Sequence, residues 1–145
     1  MDIEHRRSEA TKQAESLQAT QRLVDAEGQR VAKIRDALKP IDRELSDGRT
    51  LDYERYETLK MICRAFLATD YSSFEAVDLI DSLIQSQRAM REALQGLGRI
   101  AEAERRAAKG RFFDERASVA FALNCLDDTL RSIANWQGKA TAETT

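Results

Sequence analysis

The chain has 145 residues, a third of them charged, 42% hydrophobic in the broad sense, with a formal net charge of −2. This length suits one domain that buries roughly two-thirds of its unfolded surface, and the apolar share is too high for disorder along the whole chain. The near-balance of 23 basic and 25 acidic residues lacks the basic excess of a typical nucleic-acid binder, and a single proline with only six glycines favours helix.

Residues 1–9 (MDIEHRRSE) are polar without a sustained apolar stripe, so they are expected to form a flexible arm and do not read as a signal peptide. A single helical domain is expected over 10–137. Its first face runs Ala10, Ala14, Leu17, Gln21, Val24, Gly28, Val31, Ile34, Leu38 and Ile41, a spacing of three and four. Pro40 is expected to end or kink this helix, because proline removes an amide donor and crowds the preceding turn. It is equally suited to start a short helix through Leu45. Ser46-Asp47-Gly48 reads as a turn.

A second helix is expected from about Asp52 to Ala68, with Thr50 or Asp52 as N-cap and Tyr56, Leu59, Cys63 and Phe66 as its stripe. Ser72-Ser73-Phe74-Glu75 fits a capping box for a third helix. From there a 3-4 spacing persists for over 30 residues: Ala76, Ile80, Leu83, Gln87, Met90, Leu94, Leu97, Ala101, Glu104 and Ala108. A repeat of that length predicts a left-handed coiled seam, with Gln87 and Glu104 as polar register residues. Gly96 and Gly98 mark the place for a kink or break, since each costs about 1 kcal/mol in a helix interior. Unbroken, this helix would be about 55 Å long against about 25 Å for the second, so part of its seam would be left for a second chain. Broken there, it would allow a compact four- or five-helix bundle.

The fourth helix is expected over Phe112–Trp136, with Val119, Leu123, Leu126, Leu130 and Ile133 facing inward. Residues 138–145 (GKATAETT) read as a disordered tail. Between the third and fourth stripes the repeat slips by one residue at Lys109-Gly110-Arg111, which predicts a chain break with Gly110 as the left-handed residue. Phe112 falls in phase with Val119, Leu126 and Ile133 and is expected in the core. Phe113 does not, and Phe121 also departs from the stripe. The fold class is therefore all-α: four main antiparallel helices in an elongated bundle with a long coiled-coil-like third helix.

Chemistry is sparse. The one histidine, His5, sits in the arm, which leaves no Ser-His or Cys-His arrangement and no di-iron or zinc ligand set. Gly96-Leu97-Gly98 follows no strand and is no dinucleotide fingerprint. Cys63 and Cys125 lie in apolar helical segments and read as packed, reduced thiols. No apolar run approaches the roughly 18 residues of a membrane span, and a cytoplasmic protein without cofactor, metal or catalytic residues is expected. The leading functional expectation is a non-enzymatic interaction module: an adaptor, export-type chaperone or inhibitor of a larger bacterial or phage assembly. It would act through helix–helix contacts and as a homodimer, using Gln87, Met90, Leu94, Leu97, Glu104, Phe113 and Phe121. The alternative is a nucleic-acid-associated assembly protein using Arg105, Arg106, Lys109, Arg111 and Arg116. The carboxylates interleaved with these arginines, and their place in a last helical turn, weigh against it.

Overall fold

The 3-4 spacing that begins at Ala10 becomes one helix, and Pro40 does not stop it. In the computed structural model, which describes residues 3–144 and the side chains of 8–142, the chain forms four α-helices. They are α1 (Ile3–Ser46), α2 (Tyr53–Ala68), α3 (Ile80–Arg105) and α4 (Phe113–Thr144), with a 3-10 turn (Val77–Leu79) ahead of α3. Among the described residues there is no strand. Leu38, Ile41 and Leu45 on either side of Pro40 are buried. Their burial, at about 1.5–3 kcal/mol per side chain, offsets the roughly 3 kcal/mol of a proline inside a helix.

α1 ends instead at a left-handed glycine. Gly48 has φ +73°, its amide donates to Leu45 O, and the Arg49 amide donates to Glu44 O. These are the two bonds of a Schellman motif. α2 begins at Asp52, whose carboxylate accepts from the Arg55 amide at 3.2 Å, so of the two N-cap candidates Asp52 fills the position. Its buried stripe is Tyr56, Leu59, Cys63 and Phe66, as the spacing predicts.

The start of α3 is a correction. Ser72 does not cap a helix: its amide donates to Asp70 Oδ1, and Glu75 accepts from Thr20 Oγ1 on α1 at 2.7 Å. The local box loses to a tertiary demand, the burial of Tyr71. That ring is 2% exposed, lies between Phe66 and Phe74, and its hydroxyl donates to Glu27 Oε2 at 2.6 Å. Burial and the neighbouring carboxylate push the phenol well above its usual pKa. α3 therefore starts four residues after Ala76, at Ile80, and stops short of Ala108.

Successive helices are antiparallel. Arg30 donates to Thr69 while Glu44 pairs with Arg55, which sets α1 against α2. Gln87 reaches Phe66 O and Gly98 faces Tyr56, which sets α2 against α3. Ser86 meets Thr129 and Arg99 meets Glu115, which sets α3 against α4. Asp25 accepts from Gln137 while Leu45 O lies near Arg116, which closes the bundle between α1 and α4. One continuous core runs from Val24 to Ile133.

The flanking helices also correct both predicted ends. α1 is helical from Ile3, inside the expected arm of residues 1–9; residues 1 and 2 lie outside the described residues. α4 continues through Gly138 to Thr144, where a tail was expected from 138; Ala140 is only 3% exposed.

Candidate functional site

The predicted seam of α3 is core. The helix is continuous through Gly96 and Gly98, yet it spans 26 residues, about 39 Å, and packs against the longer α4 and the shorter α2. Met90 and Leu97 have no exposed surface, Gln87 is 5% exposed, and Leu94 packs half-buried against the core. Within the single chain Gln87, Met90 and Leu97 are enclosed in the core, and Leu94 keeps part of its surface. Gln87 donates to Phe66 O and Thr69 O, both at 2.8 Å, so it closes the C-terminal end of α2. Glu104 accepts from the Leu51 amide at 2.9 Å. Its carboxylate ties the α1–α2 connection to α3 within the chain.

The connection from α3 to α4 is built differently from its sequence expectation. Gly110 is not left-handed; Ala107 (φ +54°) and Phe112 (φ +50°) are. The Ala107 amide donates to Glu104 O and the Ala108 amide to Ala103 O, so α3 ends in a Schellman motif with alanine where glycine is usual. An L-residue there carries about 1 kcal/mol of strain. Ala107→Gly is accordingly expected to stabilise the protein by about 0.5–1 kcal/mol in urea unfolding; a loss of stability would contradict the left-handed assignment.

Phe112 then packs partly buried against the core, whereas Phe113 stays 61% exposed and Phe121 58% exposed. The two neighbours have different surroundings, as their phases predict. Beside Phe113 opens a cleft of about 650 Å³. Leu45, Ile100 and Phe112 contribute its apolar wall, and Arg49, Lys109, Arg111 and Arg116 contribute positive charge against the single carboxylate of Glu104. Arg116 stands 5.1 Å from the Phe113 ring centroid, and its Nε is buried without a hydrogen-bond partner.

The five cations of the nucleic-acid reading are not equivalent. Arg105 and Arg106 both bond Glu102, and the Arg105 guanidinium, ahead of Arg106, draws that carboxyl below its usual pKa. Lys109, Arg111 and Arg116 line the cleft together with Arg49 from the α1–α2 turn, a residue the sequence reading did not include.

Phe113 and Phe121, both expected as contact residues, lie on the outer face of α4. Residues 117–126 (ASVAFALNCL) carry no charge in a chain one-third charged. At 100° per residue, Phe113, Ala117, Ala120, Phe121 and Asn124 share an arc of about 100° and span about 17 Å; all five are exposed. Two alanines lie between the two phenylalanines on this face. The inward half of the same run, Val119, Ala122 and Leu126, is buried in the core.

No protein-family model, curated protein or solved structure matches this chain.

Other chemistry is thin in the described residues. No group of three or more His, Cys, Asp or Glu side chains converges there, and the side chain of His5 lies outside them. Among the described residues no helix is long and apolar enough to cross a membrane. Cys63 is buried, and burial pushes its thiol up to about 12; Cys125 is shifted the same way by burial and, secondarily, by Asp128.

Proposed function

We propose that the protein is a non-enzymatic contact module of the adaptor, chaperone or regulator type, working in the cytoplasm, with the outer face of α4 as its docking surface. One observation carries the reading: the uncharged, exposed strip of Phe113, Ala117, Ala120 and Phe121. Exposed apolar strips of this kind mark contact sites, and aromatic anchors dominate contact energies. The occupant is a partner helix, which the alanines admit to within the roughly 8–10 Å of packed helices. Two free thiols, one of them deeply buried, fit a reducing compartment.

Nucleic acid is the weaker reading. The net charge is −2, and Glu102 engages Arg105 and Arg106, so salt-dependent phosphate binding would fall to the cleft cations Arg49, Lys109, Arg111 and Arg116 alone.

The test uses a photoreactive side chain placed at position 124. It is expected to yield protein adducts in the native cell, and these are expected to disappear with Phe121→Asp. That substitution should leave helicity unchanged and stability within about 0.5 kcal/mol, because the side chain is exposed. Adducts that persist undiminished in the variant, or that form with nucleic acid, would remove the strip from the account.

A further inference from the structure

We propose that the cleft between the α1–α2 and α3–α4 connections binds a small organic phosphate, a phosphate monoester carried on an apolar body. Four cations line it: Arg49 from the first connection, Lys109 and Arg111 from the second, and Arg116 from the first turn of α4. The one lining carboxylate, Glu104, already accepts from the Leu51 amide at 2.9 Å.

The other acids nearby stay outside the lining. Glu44 pairs with Arg55, Glu115 pairs with Arg99 at 3.2 Å, and Asp47 and Asp114 are exposed beyond the cleft. Among the described residues none of the four cleft cations forms an ion pair, whereas Arg99, Arg105 and Arg106 each do. Arg116 is the clearest case. Its Nε is buried without a partner, and its Nη1 reaches Leu45 O only at 3.5 Å. A guanidinium carries five N–H donors, so most of this fork is uncommitted while the Phe113 ring, 5.1 Å away, steadies it.

Backbone strain falls at the same place. Ala107 and Phe112, at either end of the α3–α4 connection, are both left-handed. The Phe112 ring folds back over Gly110, where a Cβ would stand 3.2 Å from Phe112 Cζ. Strained L-residues gather at ligand clamps and switch segments, and these two set the course that brings Lys109 and Arg111 to the cleft.

The charge of the lining selects the ligand. Four cations against one carboxylate suit a phosphate monoester, with about −1.5 to −2 of charge and three acceptor oxygens, better than a carboxylate. Arginine forks match phosphate geometry, and here they come from three separate segments. Leu45, Ile100 and Phe112 add an apolar wall that inorganic phosphate would leave uncovered. The volume of about 650 Å³ is that of a small-molecule site. A nucleic-acid strand needs cations along a track, and the next ones, Arg105 and Arg106, are held by Glu102. The inference is independent of the α4 strip.

Titration of the isotope-labelled full chain with phenyl phosphate at low salt, followed by NMR, tests it. Phenyl phosphate is expected to bind with a dissociation constant below about 1 mM and to shift the amides of residues 109–113 and the Arg116 Nε–H signal. Inorganic phosphate and benzoate are each expected to bind at least about threefold more weakly, the first lacking the apolar body and the second the charge. Arg116→Gln is expected to weaken phenyl phosphate at least about tenfold, the loss of one charged hydrogen-bonding partner. Arg49→Gln and Arg111→Gln, both at exposed positions, are each expected to weaken it about threefold. Arg106→Gln, outside the cleft, is expected to change nothing.

Failure of phenyl phosphate to saturate the protein by about 10 mM overturns the proposal. So does binding unchanged by both Arg49→Gln and Arg111→Gln, a pair that decides even where Arg116→Gln does not fold. Equal affinity for inorganic phosphate would overturn the organic ligand, and an equal loss in Arg106→Gln would mean a diffuse basic surface. Tighter, steeply salt-dependent binding of a single-stranded oligonucleotide would assign the cleft to a nucleic-acid backbone and overturn the proposal likewise.

Discussion

Gln87→Leu is expected to destabilise the protein by about 2 kcal/mol. The side chain is 5% exposed and gives both amide hydrogens to main-chain oxygens, Phe66 O and Thr69 O. Phe66 O receives only a long bond, 3.4 Å, from the Thr69 amide as well, so Gln87 supplies much of what the end of α2 requires. Leucine occupies similar space and gains apolar burial of about 1 kcal/mol, but leaves two interior carbonyls short of donors at about 1–3 kcal/mol each. The balance is unfavourable. The opposite sign is expected of a polar residue on a coiled seam, where Gln to Leu strengthens the pairing and blurs its register. Urea unfolding decides between the two: a higher midpoint in the leucine variant would mean that Gln87 faces another chain.

Gly96→Leu is expected to cost about 3 kcal/mol. Gly96 is buried, and a Cβ there would stand 3.3 Å from both Cα and Cβ of Glu115. The obstacle is the main chain of α4, which cannot swing aside as a side-chain tip can, so α3 and α4 must separate or α4 must shift. Overpacking of this kind costs about 1–3 kcal/mol, and the rest of a leucine side chain makes the upper end the better expectation. If Gly96 were instead a hinge, replacing it with a strong helix former would stabilise α3 by about 1 kcal/mol. Thermal unfolding of the variant distinguishes close approach from hinge by the direction of the change in midpoint.

These two positions show what was legible in the sequence. Spacing revealed four antiparallel helices and most inward-facing residues, because burial on one face imposes a 3-4 period regardless of the neighbour. It did not reveal what covers each face. Gln87, Met90 and Leu97 repeat as a dimer seam would, and a repeat looks the same whether its partner is another chain or α1, α2 and α4. Gly96 and Gly98 looked like weak points, since propensity counts only what a glycine lacks. In the fold their missing side chains admit Glu115 and the Tyr56 hydroxyl.

Capping showed the same limit. Asp52 caps α2 because nothing tertiary competes for it. Ser72 and Glu75 carry an equally good local pattern, but the burial of Tyr71 and the reach of Glu75 to Thr20 prevail. On α4 the phase argument separated Phe112 from Phe113 correctly and set Phe113 and Phe121 off the inward stripe. It did not bring Arg49 beside Lys109, Arg111 and Arg116, because those residues come from connections far apart in the chain.

The length of α1 has a consequence for how the molecule holds together. Every residue from Ser8 to Ser16 is exposed, whereas Val24, Val31, Ile34, Leu38 and Ile41 are completely enclosed. An isolated helix of that size is marginal in water. The cooperative unit is therefore expected to end near Thr20, where Glu75 fastens the helix, and hydrogen exchange is expected to be faster in the turns before it than in the rest of α1. A single continuous helix thus joins two thermodynamic regimes: one half melts only when the whole protein does, and the other exchanges with coil in the native state.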